Sequence, residues 1–185
     1  MKSVQENLTQ YAAYHRDRRN IATHFVGVPL IVFSMILALA TMSVSLGTVT
    51  LTAAALVSIG LVGYYLVLDR VLGVAMAIAM FLFCAAASEI SARFSTGATL
   101  TLAVVVFVVG WVLQFLGHKY EGMKPAFFDD AKQLLIGPLF VLAEVIFALG
   151  AHRALQHYIE ERVGPTVARR DGRPIPIHDE TPVRS

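Results

Sequence analysis

Five apolar blocks, separated by short polar breaks, dominate the chain: Phe25–Val44, Val49–Leu68, Val71–Ile90, Leu100–Gly117 and Leu134–Ala151. Between Phe25 and Gly117 the only charged residues are Asp69, Arg70, Glu89 and Arg93. A bilayer core asks for roughly 20 apolar residues per helix, and these blocks are about that long. A large soluble helical core would instead show polar residues every turn or two on its solvent face. The pattern predicts an all-α, polytopic membrane helix bundle with four or five hydrophobic helices. Asp69 and Arg70 leave almost no loop between the second and third blocks, which predicts a tight helical hairpin there. Gly47 and Thr48 separate the first pair, and Ser95, Thr96 and Gly97 the third and fourth. With connections this short and no internal repeat, residues 1–163 read as a single membrane-embedded helical domain. The polar stretch before the first block supplies an N-terminal interfacial helix. The tail, residues 164–185, carries Pro165, Pro174, Pro176 and Pro182 among many charges, and is expected to lack fixed structure.

Composition agrees: the 185 residues are 56% hydrophobic and 15% charged, against about 25% charged in an ordinary soluble domain. The first apolar run follows 24 residues of polar sequence and has no small-residue cleavage site, so it does not read as a secretory signal. The single cysteine, Cys84, lies inside an apolar run and reads as a packing residue. A net charge of +2 gives no reason to expect nucleic acid as a partner. Lys2, Arg16, Arg18 and Arg19 precede the first block, while Lys119, Lys124 and Lys132 follow the fourth. The positive-inside rule then places the N-terminus in the cytoplasm, with four spans returning the chain there at His118; in a bacterium the membrane would be the inner one. The fifth block, with Gly137-Pro138 near its start and Glu144 at its centre, either spans or comes back to the same side.

This topology brings His15, His24 and His118 to one cytoplasmic edge. Three imidazoles there suit a divalent transition metal; the alternative is three polar residues at headgroup level. Trp111, Gln114, His118 and Glu121 follow one another at intervals of three, four and three, one continuous helix stripe. Glu121 can approach the same ion as His118 or pair with Lys124, and Gln114 can orient His118 from one turn deeper. His15 and His24, nine residues apart, would point to opposite faces of a straight helix, about 13 Å apart along its axis. A shared ion requires the chain to break between them, in the RDRRN stretch, with Asn20 as a cap for the incoming helix. His15 would then come from the interfacial helix and His24 from the first turn of the first span. Glu144 is an ionisable group in an apolar block, a functional candidate by default. Glu89, with Arg93 at i+4, reads as structural; His152 and His157 read as interfacial, and His178 in the tail as having no role.

YHRDRRNIATHFVGVP resembles the N-terminal signature of the yeast-type 2-hydroxy fatty acid dioxygenases. WVLQFLGHKYEGMKPA resembles their second signature, and LLIGPLFVLAE, ending at Glu144, a third and weaker one. The resemblance covers about Tyr11 to Gly150. It implies an Fe(II)-dependent dioxygenase of fatty-acid α-oxidation, in which a 2-hydroxy fatty acid loses one carbon and dioxygen is the oxidant, with no 2-oxoglutarate. On this reading His15, His24 and His118 are metal ligands, and Glu121, Glu144 and Gln114 support the chemistry. Arg16, Arg18, Arg19, Lys119 and Lys124 are cations available to the substrate carboxylate. Two rival readings are a bis-histidine haem protein and a non-enzymatic scaffold or transporter with Glu144 as a proton relay. A multi-histidine hydroxylase would need clustered pairs such as H-x-x-H-H, which the sequence lacks.

Overall fold

The computed structural model describes residues 2–47, 49–122 and 131–167. Lys124, Pro125, Ala126, most of the tail and His178 lie outside the described residues. Among the described residues, seven helices and one β-hairpin fall into two compact units, residues 26–112 and residues 1–25 with 113–185. Helices α2 (Arg18–Ala40) and α5 (Thr96–Glu121) contribute residues to both.

The first unit is apolar. Helices α2, α4 (Arg70–Arg93) and α5 have 23, 24 and 26 residues and are apolar enough to cross a membrane; at 1.5 Å per residue each is about 35–39 Å long. Their outward positions carry large apolar side chains, among them Phe81, Val104 and Val112, a surface compatible with a membrane protein. Helix α3 (Ala53–Leu68) has only 16 residues, because the start of the second block is not helical. Strands β1 (Ser43–Leu46) and β2 (Val49–Thr52) pair antiparallel, with Ser43 opposite Thr52 and Leu46 opposite Val49, and Gly47 takes φ +64° where the chain reverses. This stretch is rich in Ser, Thr and Val, which favour strand over helix. Thr52 then caps α3, its hydroxyl accepting from Ala55 N at 3.1 Å. The predicted hairpin is present: Asp69 alone joins α3 to α4 and caps α4 by accepting from Leu72 N at 2.9 Å. A Cβ on Gly73 would lie 2.6 Å from Leu66 Cα, so this crossing needs glycine.

The second unit holds all the charged residues except Asp69, Arg70, Glu89 and Arg93. Helix α1 (Val4–Ala12) opens with a reciprocal cap: Glu6 N donates to Ser3 Oγ at 3.2 Å, and Ser3 N to Glu6 Oε2 at 2.7 Å. Its buried residues include Val4, Leu8, Tyr11 and Ala12, and it packs on α6 (Gln133–Ala148) and α7 (Arg153–Val163). Helix α6 carries the fifth block and is followed by α7, which lies beyond that block; the two helices meet at 112°. The break contains Gly150 at φ +80° and His152 at φ +54°. Leu155, Ile159 and Val163, four apart, form the buried stripe of α7. After α7 the chain runs beside the link between α1 and α2: Val167 N donates to Arg16 O at 2.9 Å and Arg18 N to Val167 O at 3.1 Å. Residues 164–167, which composition assigned to an unstructured tail, are thus tied to that link by main-chain hydrogen bonds.

Candidate metal centre

The chain breaks between His15 and His24, as their spacing requires. Helix α1 ends at Ala12 and relaxes through a tight turn, with Tyr14 N donating to Tyr11 O and His15 N to Ala12 O. Helix α2 begins at Arg18. His15 therefore lies in the link, not in the first helix, and His24 in the second turn of α2. The cap of α2 is Asp17, not Asn20: Arg19 N donates to Asp17 Oδ1 at 2.8 Å, and Asp17 O accepts from Ile21 N. Both residue types cap well, but the Asn20 amide is engaged elsewhere.

It is engaged by Glu121. This carboxylate, fully buried at the end of α5, accepts from Arg16 N at 3.1 Å, Asp17 N at 2.8 Å and Asn20 Nδ2 at 3.0 Å. A carboxylate receiving main-chain N–H groups is a strong local anchor, and here it fixes the link that carries His15. α2 and α5 come close because residue 117 is glycine: a Cβ there would overlap Thr23 Oγ1 and Asn20 Oδ1.

The result is a buried trio of imidazoles, His15, His24 and His118. One ligand atom from each lies within 4.8 Å of the others. The ring centroids are 4.6 Å apart for His15–His24, 4.9 Å for His15–His118 and 5.2 Å for His24–His118, all edge to face. His15 Nδ1 donates to Tyr11 O at 2.7 Å, and His24 Nδ1 to Asn20 O at 2.9 Å. Each bond places the proton on Nδ1, since two acceptors cannot face each other. Both Nε2 atoms then present lone pairs, and they stand 3.2 Å apart. Burial holds the His15 imidazole well below its usual pKa, and the nearby His24 and His118 push it the same way, which favours the neutral ring. A metal cation between the two Nε2 atoms would satisfy both lone pairs. Histidine ligands typically give their other N–H to a carbonyl or carboxylate, as these two do, so the donor set fits a divalent transition metal. A porphyrin between His24 and His118 does not fit, because a flat macrocycle there would run into His15, whose ring centroid lies 4.6 Å from His24 and 4.9 Å from His118.

Tyr11 lies flat on His15, with ring centroids 4.0 Å apart and planes 2° apart, and Phe140 of α6 backs Tyr11 at 4.9 Å. Sequence reading missed Tyr11 and the Asn20 carbonyl. Both sit four residues before the histidine they orient, the one signal that could have found them.

The other expected site residues fall outside the trio. Neither Glu121 nor Glu144 belongs to the metal-competent group. Glu121 anchors the link, and the Nδ1 protons of His15 and His24 go to carbonyls. Glu144 pairs with Arg16 at 3.4 Å. Arg16 is almost fully buried and also donates to Ala12 O and Gly164 O. Burial lowers its pKa, while Glu144 and Glu121 oppose that shift. Arg19 pairs with Asp17 at 2.7 Å and lies over the Tyr120 ring. Arg16 and Arg19, expected as cations for a substrate, are thus structural. Gln114 is buried, and its Nε2 has no hydrogen-bond partner, so that atom does not orient His118. His157 pairs with Glu161 on α7 and Glu89 with Arg93 on α4, away from the trio.

Fold and site together define a helical protein with long apolar helices and a buried three-histidine centre suited to a metal. The chain belongs to the family described as 2-hydroxy-palmitic acid dioxygenase Mpo1-like, whose model matches residues 1–149. It is 27% identical over 159 residues to the 2-hydroxy-palmitic acid dioxygenase MPO1 of Saccharomyces cerevisiae, covering 85% of this chain and 87% of the yeast protein. No solved structure matches it.

Proposed function

We propose that this protein is a membrane-bound, Fe(II)-dependent dioxygenase of fatty-acid α-oxidation. Its substrate is a 2-hydroxy fatty acid, and its metal centre, His15, His24 and His118, lies at the cytoplasmic edge of the membrane. The carrying observation is the pair of Nε2 lone pairs facing each other at 3.2 Å in a chain of this dioxygenase family. The reaction balances without a further reductant: a 2-hydroxy acid and dioxygen give the acid one carbon shorter, carbon dioxide and water. Bound iron would supply dioxygen activation and Lewis acidity, and three neutral imidazoles leave positions for other ligands. The chain's own residues hold that centre rigid. Tyr11 O and Asn20 O fix two tautomers, Glu121 fixes the link, and burial keeps bulk water away. Glu144 acts through Arg16, bracing the same link.

The test uses the full chain, purified in detergent and loaded anaerobically with Fe(II). Exposure to 2-hydroxypalmitic acid and dioxygen should consume both and yield the acid one carbon shorter, with no Soret band. A Soret band, or no oxygen uptake by iron-loaded protein, would refute the reading.

A further inference from the structure

Gln114 lies four residues, about one α-helical turn, before His118 on the same face of α5. Helical side chains lean toward the N-terminus, so the His118 imidazole leans over the turn that carries Gln114. Gln114 is buried, and its Nε2 donates to nothing. A buried amide without an acceptor is costly, and native proteins rarely keep one without a use. Along α5 the order is Glu121, His118, Gln114, then the apolar stretch of the helix. Glu121 therefore closes the polar side of the histidine layer, and Gln114 stands on its apolar side. An amphiphile entering from the apolar end of α5 would meet Gln114 with its headgroup.

We propose that Gln114 Nε2 is the donor that recognises the oxygen-bearing headgroup, the carboxylate or 2-hydroxyl, of the substrate. This deepens the function proposed above and rests on it. Gln114 is then a specificity residue: the missing hydrogen bond in the free protein is formed with substrate. Arg16 and Arg19 are each already engaged by a carboxylate of the chain, Glu144 and Asp17.

The experiment compares wild type with Gln114→Leu and Gln114→Glu, as full chains in detergent, by iron content, thermal midpoint and KM for 2-hydroxypalmitic acid. Both variants should retain iron like wild type. Leu should not lower the midpoint, since it removes an unsatisfied group. KM should rise about 10- to 100-fold, the size of a hydrogen bond to a charged group, with Glu at least as severe through charge repulsion. Wild type that neither holds iron nor turns over the acid removes the parent reading and this one together. Active wild type with unchanged KM in Gln114→Leu removes this inference alone. So does a variant that loses its fold or its iron, because the amide would then be structural.

Discussion

His15 Nε2 and His24 Nε2 face each other at 3.2 Å, each ring having given its Nδ1 proton to a main-chain carbonyl four residues earlier. The arrangement is electrostatically incomplete, and a cation bound between the rings would complete it.

Glu121→Gln should weaken metal binding while leaving the apolar helices folded. The amide turns an NH2 toward the Arg16 and Asp17 N–H groups that the carboxylate accepted. Loss of charge-assisted bonds of this kind is worth about 1.5–3 kcal/mol, or at least about tenfold in affinity. Competition titration with Fe(II) or Co(II) measures it, and wild-type affinity would show that the link is held by other means.

Gly117→Ala should damage the centre through packing alone. The new methyl overlaps Thr23 Oγ1 and Asn20 Oδ1, and overpacking of this kind costs about 1–3 kcal/mol. Iron content and thermal midpoint should fall together. Gly63→Ala in α3 is the control: its Cβ meets nothing within 4 Å, so the midpoint should hold or rise.

Tyr11→Phe should be tolerated, and Tyr11→Ala should not. The ring stacked on His15 is the feature that matters, and no hydroxyl hydrogen bond is invoked for it. Removing a buried aromatic ring costs about 3–5 kcal/mol, read as a lower thermal midpoint with loss of iron. Equal effects of the two changes would contradict the stacking role.

Much of the fold is legible because the long apolar helices carry almost no charge, so Asp69-Arg70 stands out as the only charged break between the second and third blocks. The break between His15 and His24 is legible from helical periodicity. The β-hairpin at residues 43–52 is not, because a short run of Ser, Thr and Val is as uncharged as the helices around it. Arg16 reads as part of a basic face in RDRRN, yet it is buried against Glu144, 128 residues away. Asp17 and Asn20 are equivalent caps by sequence. Only Glu121, 101 residues from Asn20, decides between them.

Metal removal should destabilise the protein reversibly. A ligand at 100 times its dissociation constant adds about 2.7 kcal/mol, so a chelator should lower the midpoint by several degrees and added Fe(II) should restore it. A midpoint indifferent to both would mean that no metal is bound in the folded state.

The central claim is that the three imidazoles hold the metal, and metal analysis of wild type beside His118→Ala tests it most directly. After anaerobic loading and desalting, wild type should carry about one iron per chain, as expected for a single three-imidazole site, and correctly folded His118→Ala almost none. Equal iron in the two proteins would contradict it.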